Sequence, residues 1–272
     1  MNVLLVGYGN MGSAIAELWY KKKIFTNIYA IDPSKDNNDE NKIISYKSLK
    51  EFEINNANVN VDIILLAFKP QDMDNILKEY TKYHKSFIVS IIAGKTINYI
   101  SKFFKKNTKI IRIMPNICAK LGISNSLVKY SRNITEKNKI TFRKIIKSFG
   151  SCIELQNEKL FHVGTVLFGS GPAHFYLLCN KMIEFGIKFG IKKELMKQFI
   201  PELFLSSTKF FENEYKKCKN NESKAEIFNQ LLKKISSKGG VTEKISEKIN
   251  DKNFTKSYKN VISAAIKKSK EL

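Results

Sequence analysis

Six residues near the start of the chain have the glycine spacing of a phosphate-binding turn. They are Gly7, Tyr8, Gly9, Asn10, Met11 and Gly12. An apolar, strand-like run at residues 3–6 precedes them and a helix-patterned segment follows, which is the setting that a dinucleotide-binding turn needs. The first glycine permits the tight bend, the second lets a pyrophosphate approach bare backbone, and the third lets helix pack on sheet. The phosphates would lie at the helix N-terminus, where N–H groups and the helix dipole favour anions.

An acidic residue follows at the distance expected for a ribose contact. Asp32 lies twenty residues after Gly12 and ends the second predicted strand. A carboxylate there binds the ribose 2′-hydroxyl of NAD but repels the 2′-phosphate of NADP, and Lys35 lies close enough in sequence to offset that repulsion. The alternative is that Asp32 caps the turn at Pro33. The sequence therefore predicts NADP or NAD as the cofactor and leaves the choice between them open.

The elements that must position these residues alternate between strand and helix patterns over residues 1–157. Short β-branched runs predict strands at residues 3–6, 28–31, 63–67, 87–92, 109–114 and 126–130. Apolar residues at helical spacing predict helices at residues 11–22, 71–83, 97–105 and 136–149. Such alternation is typical of a doubly wound, mostly parallel sheet. We therefore predict an α/β protein with an N-terminal Rossmann-type domain at residues 1–157.

Residues 158–272 lack a strand pattern and are predicted to form an all-helical C-terminal domain. The segment after Pro172 carries apolar residues on most sides, among them Phe175, Leu178 and Phe185. A helix of this kind needs burial by more than its own small domain, which favours a subunit interface. A central helix in a monomeric bundle is the alternative.

The composition restricts the classes of partner. The formal net charge is +22, but only three of the 47 cationic residues are arginines, the residue that readers of nucleic acid prefer. The lysines are spread along the whole chain, so we expect no specific nucleic-acid site. Apolar runs fall far short of the ~18 residues that span a bilayer, and no leader pattern follows Met1, so we expect a cytoplasmic protein without a membrane partner. The scattered cysteines and histidines predict no metal site.

Five further segments form a set with the glycine turn. They are Ala67-Phe68-Lys69-Pro70, Ser90-Ile91-Ile92-Ala93-Gly94, Arg112-Ile113-Met114-Pro115-Asn116, Gly169-Ser170-Gly171-Pro172-Ala173 and Ser237-Lys238-Gly239-Gly240-Val241-Thr242. In order and spacing, over essentially the whole chain, the set resembles the pyrroline-5-carboxylate reductase family, which catalyses the last step of proline biosynthesis. The chain departs from the family pattern at Lys238, where proline is usual, and at Ile117-Cys118, where Thr-Pro is usual.

The resemblance implies hydride transfer from NADPH or NADH to the C=N carbon of 1-pyrroline-5-carboxylate, which gives L-proline. It implies that the Thr242 hydroxyl donates to the ring nitrogen. The substrate carboxylate would be bound by Ser237, Gly239, Gly240 and Val241. The nicotinamide and its ribose would lie along Ala67, Phe68, Lys69, Pro70, Ala93, Gly94 and Asn116. The helical domain would bind substrate and form a homodimer or a higher homo-oligomer.

Two other functions are left open by the sequence. One is another imine or 3-hydroxyacid reductase of the same two-domain plan. A 3-hydroxyacid reductase relies on a lysine with an asparagine four residues later in the helix between its domains. In this chain the corresponding Lys181 is followed at that distance by Phe185. The other is a non-catalytic NAD(P)-binding relative, which the departures from the family pattern suggest. Plain structural roles are also open, with Lys69 as a solvated side chain and Thr242 as an ordinary helix-start hydroxyl.

Overall fold

A computed structural model of the chain describes residues 1–34, 43–218 and 220–272. The chain divides into two compact units. Unit 1 comprises Met1–Pro172 with Ala265–Leu272, and unit 2 comprises Ala173–Ala264. Lys35, which was expected to offset the charge of Asp32, lies outside the described residues. The assignment of cofactor binding to residues 1–157 and of substrate binding and oligomerisation to residues 158–272 stays a prediction.

Unit 1 is built on a β-sheet. Its strands are β1 (Asn2–Val6), β2 (Asn27–Ile31), β3 (Ile44–Tyr46), β4 (Ile63–Leu66), β5 (Phe87–Ser90), β6 (Ile110–Met114), β7 (Ser124–Tyr130) and β8 (Gly150–Glu154). Within the described residues they form one sheet in the order β3-β2-β1-β4-β5-β6-β7-β8. Neighbours are parallel except for β6 and β7, which are antiparallel. The predicted α/β fold class with a Rossmann-type sheet is confirmed.

The helices follow the strands in unit 1 and continue alone through unit 2. They are α1 (Asn10–Lys21), α2 (Leu49–Asn55), α3 (Met73–Glu79), α4 (Ile97–Ser101), α5 (Glu136–Lys147), α6 (Leu160–Gly164), α7 (Gly171–Lys188), α8 (Lys193–Lys217), α9 (Asn221–Ala225), α10 (Ile227–Ile235), α11 (Val241–Ile249) and α12 (Lys252–Glu271). A turn of π-helix at Thr165–Gly169 joins α6 to α7. The last turns of α12 belong to unit 1.

β4 is apolar along its whole length because the sheet is covered on both faces. Side chains of successive strand residues point to opposite faces. Leu5 of β1 belongs to a core that contains Trp19, whereas its neighbour Leu4 belongs to a second core that contains Phe52 and Tyr80. The sheet therefore separates two apolar layers, and its strands are held rigidly between them.

Several elements differ from the sequence prediction. The structure adds β3, α2 and β8, which were not predicted. β3 has only three residues and β8 has no fully buried residue, so neither shows an apolar run. β5 ends at Ser90, not at residue 92, because the chain turns at Gly94, where φ is +78°. α4 ends at Ser101, not at residue 105, and the helix predicted at residues 71–83 is α3 flanked by two short 3-10 turns.

Unit 2 has a different distribution of apolar side chains. The ring of Phe211 in α8 stacks on Phe228 of α10 with centroids 4.7 Å apart. By contrast, no residue of α7 counts as buried in the described chain, and Phe175, Tyr176 and Leu177 are exposed. The apolar surface of α7 that was predicted from sequence is therefore uncovered within a single chain.

In the part of the chain that the structure describes, every helix lacks the length or the apolar composition that a membrane span needs. No group of three or more His, Cys, Asp or Glu side chains there could hold a metal ion. The four cysteines are free.

Candidate active site

The carboxyl ends of four neighbouring strands meet at one edge of the sheet. In the register of the sheet, Val6 lies beside Leu66, Leu66 beside Ser90, and Ser90 beside Arg112. Open α/β sheets bind ligands at this edge. The structure thus brings together four predicted groups of site residues, at positions 7–12, 67–70, 93–94 and 116.

The glycine turn has the shape that the sequence predicted. Gly7 has φ of +93°, and a Cβ on it would lie 2.7 Å from the Ala67 carbonyl oxygen, so only glycine fits. A Cβ on Gly9 would meet no atom within 4 Å, which leaves the backbone there accessible. α1 begins at Asn10, directly after Gly9, and its described first turn contains no acidic residue. The first turn of α1 therefore supplies no carboxylate that would compete for its N–H groups, and the helix N-terminus can hold an anion.

Asp32 is bonded to the glycine turn. Its Oδ2 accepts from the Tyr8 backbone N–H at 2.8 Å. Its Oδ1 accepts from the Ser34 backbone N–H at 2.9 Å and from the Ser34 hydroxyl at 2.6 Å. Asp32 thus caps the turn at Pro33, the alternative that the sequence left open, while a ribose contact stays a prediction. A cavity of about 520 Å³ lies beside this carboxylate.

The other side chains of these segments differ in exposure. Tyr8 is buried, Met11 and Phe68 are half-buried, and Asn10 and Lys69 are exposed. Pro70 opens the 3-10 turn that precedes α3. Lys69 is therefore the side chain at the end of β4 that is most accessible to a bound molecule.

The end of α12 covers part of this edge. A Cβ built on Gly94 would lie 2.6 Å from atoms of Leu272, so Leu272 sits over the Gly94 backbone. Nearby, Nδ1 of His162 lies 3.1 Å from both the carbonyl oxygen and the hydroxyl of Ser269. Ser269 is buried by this contact, although its helix is mostly exposed. The face of Gly94 that we expected to receive the nicotinamide is occupied by Leu272, and Ala93 beside it is half-buried.

Asn116 is built into the loop after β6. Its backbone N–H donates to Ser124 Oγ at 3.0 Å. Its Oδ1 accepts from the Cys118 N–H, and its Nδ2 donates to the Phe168 carbonyl oxygen, both at 3.0 Å. The side chain therefore fixes the loop, and contact with a cofactor stays a prediction.

An ion pair between a buried arginine and a partly buried glutamate lies below the edge. The Arg112 side chain, on β6, is 2% exposed, and its Nη1 donates to Glu158 Oε1 at 2.9 Å. The guanidinium also lies 4.4 Å from the centroid of the Phe161 ring. Burial lowers the pKa of Arg112, and the hydrogen bond with Glu158 opposes that effect. The same Glu158 oxygen accepts from the Ile97 backbone N–H at 2.8 Å.

The ion pair was not predicted from the sequence. An arginine inside the apolar strand Ile110–Met114 was a signal, because a buried charge needs a partner. The partner, Glu158, is 46 residues away along the chain, and no local pattern points to it.

The second glycine loop lies in unit 2 and opens α11. Gly239 has φ of +71°, and its N–H donates to Glu243 Oε2 at 2.6 Å. The Gly240 N–H donates to the Ser237 carbonyl oxygen at 2.9 Å. Two of the backbone donors predicted for the substrate carboxylate are thus hydrogen bonded inside the loop. Among the described residues, the Thr242 hydroxyl has no hydrogen-bond partner, so it is able to donate to a ligand.

Glu243 was also missed by the sequence analysis. An acidic residue in the first turn after a glycine pair was the available signal. Val241 is highly exposed and Thr242 is half-buried.

Known proteins resemble the chain along its whole length. The family model described as pyrroline-5-carboxylate reductase dimerisation matches residues 158–272, and the model described as NADP oxidoreductase, coenzyme F420-dependent, matches residues 2–94. Pyrroline-5-carboxylate reductase of Aquifex aeolicus is 29% identical over 274 residues, which cover 100% of the chain and 97% of the relative.

A solved structure and a second relative extend this similarity. The structure of Plasmodium falciparum pyrroline carboxylate reductase with NADP bound has a TM-score of 0.82 and 26% identity, and the match covers 100% of this chain and 97% of that one. Pyrroline-5-carboxylate reductase of Staphylococcus aureus is 30% identical over 280 residues, which cover 100% of the chain and 98% of the relative. The chain therefore belongs to the pyrroline-5-carboxylate reductase family.

Proposed function

We propose that the protein reduces the C=N bond of 1-pyrroline-5-carboxylate to L-proline with NADPH or NADH. The observation that carries the proposal is the end-to-end similarity to reductases of that name. Four of the family's motifs lie at the sheet edge, a fifth forms the second glycine loop, and the motif at residues 169–173 spans the start of α7. In the reaction one hydride adds to the imine carbon and one proton to the nitrogen, and the cofactor leaves oxidised.

The residues at the sheet edge fit a dinucleotide. Gly9 and the N-terminus of α1 would hold the pyrophosphate, since a Cβ on Gly9 would meet no atom and the described first turn of α1 carries no competing carboxylate. The cavity beside Asp32 would take the adenosine. The strand ends at residues 67–70, 93–94 and 116 would face the nicotinamide half, which requires Leu272 to move off the Gly94 backbone. The reduced nicotinamide supplies the hydride.

Thr242 would be the catalytic side chain. As carbon accepts the hydride, the ring nitrogen changes from imine to amine and needs a hydrogen-bond or proton donor. The Thr242 hydroxyl is half-buried and makes no hydrogen bond to the described protein atoms, so it is able to donate to that nitrogen.

The substrate carboxylate would bind at the second glycine loop. Ser237, Gly239, Gly240 and Val241 would supply the donors, helped by the dipole of α11. Because Glu243 already accepts from the Gly239 N–H, its carboxylate has to move aside when the substrate carboxylate takes that donor.

We also propose that the enzyme is a cytoplasmic homo-oligomer without a specific nucleic-acid partner. The match of residues 158–272 to a dimerisation family and the exposed apolar side chains of α7 support the oligomer. The scarcity of arginine supports the absence of a nucleic-acid site.

The proposal is tested by following the loss of NADH or NADPH absorbance on addition of pyrroline-5-carboxylate. We expect imine-dependent oxidation, and we expect Thr242→Ala to lower kcat by about 10²-fold, with Thr242→Ser losing less. Thr208→Ala is a matched control, because the Thr208 hydroxyl bonds within α8 to the Phe204 carbonyl oxygen. Absence of imine-dependent turnover with either cofactor would contradict the proposal.

A further inference from the structure

Glu158 lies between a buried arginine and the loop that carries two predicted cofactor residues. We propose that Glu158, oriented by Arg112, is a positioning residue for the cofactor. It holds the loop of residues 91–96, which carries Ala93 and Gly94, through the backbone N–H of Ile97. This inference rests on the proposed function, since it assumes that a nicotinamide cofactor binds at that loop.

The loop is pinned at both ends. At its start, the Ile91 N–H donates to the Leu66 carbonyl oxygen at 3.1 Å and continues the pairing of β5 with β4. At its end, Ile97 is the first residue of α4, and the N–H groups of a first helical turn have no partner within their own helix. Thr96 caps one of them through the Tyr99 N–H. Glu158 Oε1 accepts from the Ile97 N–H at 2.8 Å, so this hydrogen bond fixes the position of the end of the loop.

Arg112 gives Glu158 a fixed position. The guanidinium is held by the rigid strand β6 and by the ring of Phe161, and Nη1 reaches the same carboxylate oxygen that accepts from Ile97. A buried arginine without its partner is strongly disfavoured, so the guanidinium holds the Glu158 carboxylate in place. Buried ion pairs contribute little net stability compared with apolar side chains of similar volume. An apolar pair in place of Arg112 and Glu158 could not accept from the Ile97 N–H. Fixing the loop of residues 91–96 is therefore what the ion pair contributes.

Ile97→Pro removes the N–H that Glu158 accepts, together with an isoleucine side chain that packs against the core containing Phe52. Proline is well accepted at the first position of a helix, and Thr96 before it has φ of −85° and ψ of 162°, which suits a residue preceding proline. The Arg112–Glu158 pair stays intact. Ile97→Ala is the matched control, because it loses the side chain but keeps the N–H. We expect the Kd for NADH to rise about tenfold in Ile97→Pro relative to Ile97→Ala, the loss typical of one charge-assisted hydrogen bond.

Substitutions of Glu158 distinguish the charge of its side chain from its role as a hydrogen-bond acceptor. In Glu158→Gln the amide oxygen still accepts from both donors, but the buried guanidinium loses its counter-charge. We therefore expect Tm to fall while the Kd stays within about twofold of wild type. The double variant Arg112→Met with Glu158→Met replaces the pair by apolar side chains, and we expect it to fold but to bind NADH about tenfold more weakly.

Glu154→Gln is the control for loss of a similar acid. The side chains of Glu154 and Glu158 are 23% and 21% exposed, and Glu154 pairs with Lys139 and Arg143 of α5. We expect this variant to bind NADH as the wild type does.

The readouts are the Kd for NADH from fluorescence titration, Tm, and the separate KM values for cofactor and imine. A positioning role raises Kd and KM for the cofactor and leaves KM for the imine unchanged. The inference is overturned if Ile97→Pro binds NADH as tightly as Ile97→Ala, or if Kd follows Tm across all variants. If the wild type binds neither NADH nor NADPH, the proposed function fails first and this inference fails with it.

Discussion

The two units differ in how far their apolar side chains are buried. In unit 1 the central strands are covered on both faces, and Leu65 of β4 is 1% exposed. In unit 2 the long helix α7 leaves Leu177 65% exposed, with Phe175 and Tyr176 beside it. Soluble monomers rarely expose contiguous apolar patches of this kind. Unit 1 therefore completes its core within one chain, whereas we expect a second copy to cover α7, in line with the match of residues 158–272 to a dimerisation family.

Leu177→Glu is the sharpest way to break this comparison. A charge on α7 would be buried against an apolar partner surface without a counter-ion, so we expect the oligomer to dissociate to monomers. Sedimentation velocity over a range of concentrations measures this. Ile54→Glu is the matched control, because Ile54 is 71% exposed on α2 of unit 1 and the same charge there should leave the mass unchanged. An oligomer that survives Leu177→Glu would place the interface elsewhere.

The same contrast explains how much of the fold the sequence could predict. Strands covered on both faces, such as Ile63–Leu66, carry an unbroken apolar run that is visible in sequence. β8 (Gly150–Glu154) has no buried residue, so its alternation is faint, and the three residues of β3 are too few to show a period. Prediction succeeded where burial is complete and failed at the edges of the sheet, because burial produces the signal.

In the site, the shape of the backbone was predictable and the side-chain partners were not. Gly7 and Gly239 both have positive φ, a conformation that selects glycine, so residue type alone marked both turns. Leu272 over Gly94 and Glu158 on Ile97 depend on contacts between distant parts of the chain. No local pattern encodes such contacts, and only the folded structure reveals them.

The two glycine loops differ in where their internal carboxylate comes from. Asp32 accepts from Tyr8 in the first loop, but it is also held by Ser34 and stands outside α1. Glu243 accepts from Gly239 in the second loop and belongs to the first turn of α11 itself. Asp32 thus stabilises the conformation of the first loop. Glu243, by contrast, accepts from the Gly239 N–H, a donor that the substrate carboxylate is proposed to use.

Glu243→Gln tests this difference. The amide still accepts from the Gly239 N–H but no longer repels an incoming carboxylate, so we expect KM for the imine to fall about threefold with kcat unchanged. Steady-state kinetics at saturating cofactor measures this. Glu247→Gln is the control, because it removes the same charge from α11 at a residue that pairs with Lys244 and not with the loop. Equal KM values in the two variants would argue against competition at Gly239.

The smallest effect concerns an ion pair inside unit 2. Glu214 of α8 accepts from Lys217 at 2.5 Å and also from Lys234 of α10. These hydrogen bonds lower the pKa of Glu214 to about 2. Because the pKa in the folded state is below the value of ~4.3 for an unfolded chain, the contact stabilises the fold above pH ~4.3. That stability is lost as the pH falls towards 2.

Glu214→Gln removes this pH-dependent contribution. We expect the variant to unfold at a lower urea concentration than wild type at pH 6, and the gap to close as the pH falls from ~4 to ~2. The single tryptophan, Trp19, is buried in unit 1, so its fluorescence follows unit 1, whereas far-UV circular dichroism also follows the helices of unit 2. The gap should be larger by circular dichroism than by Trp19 fluorescence. A gap that is constant across this pH range would mean that Glu214 does not link α8 to α10 in solution.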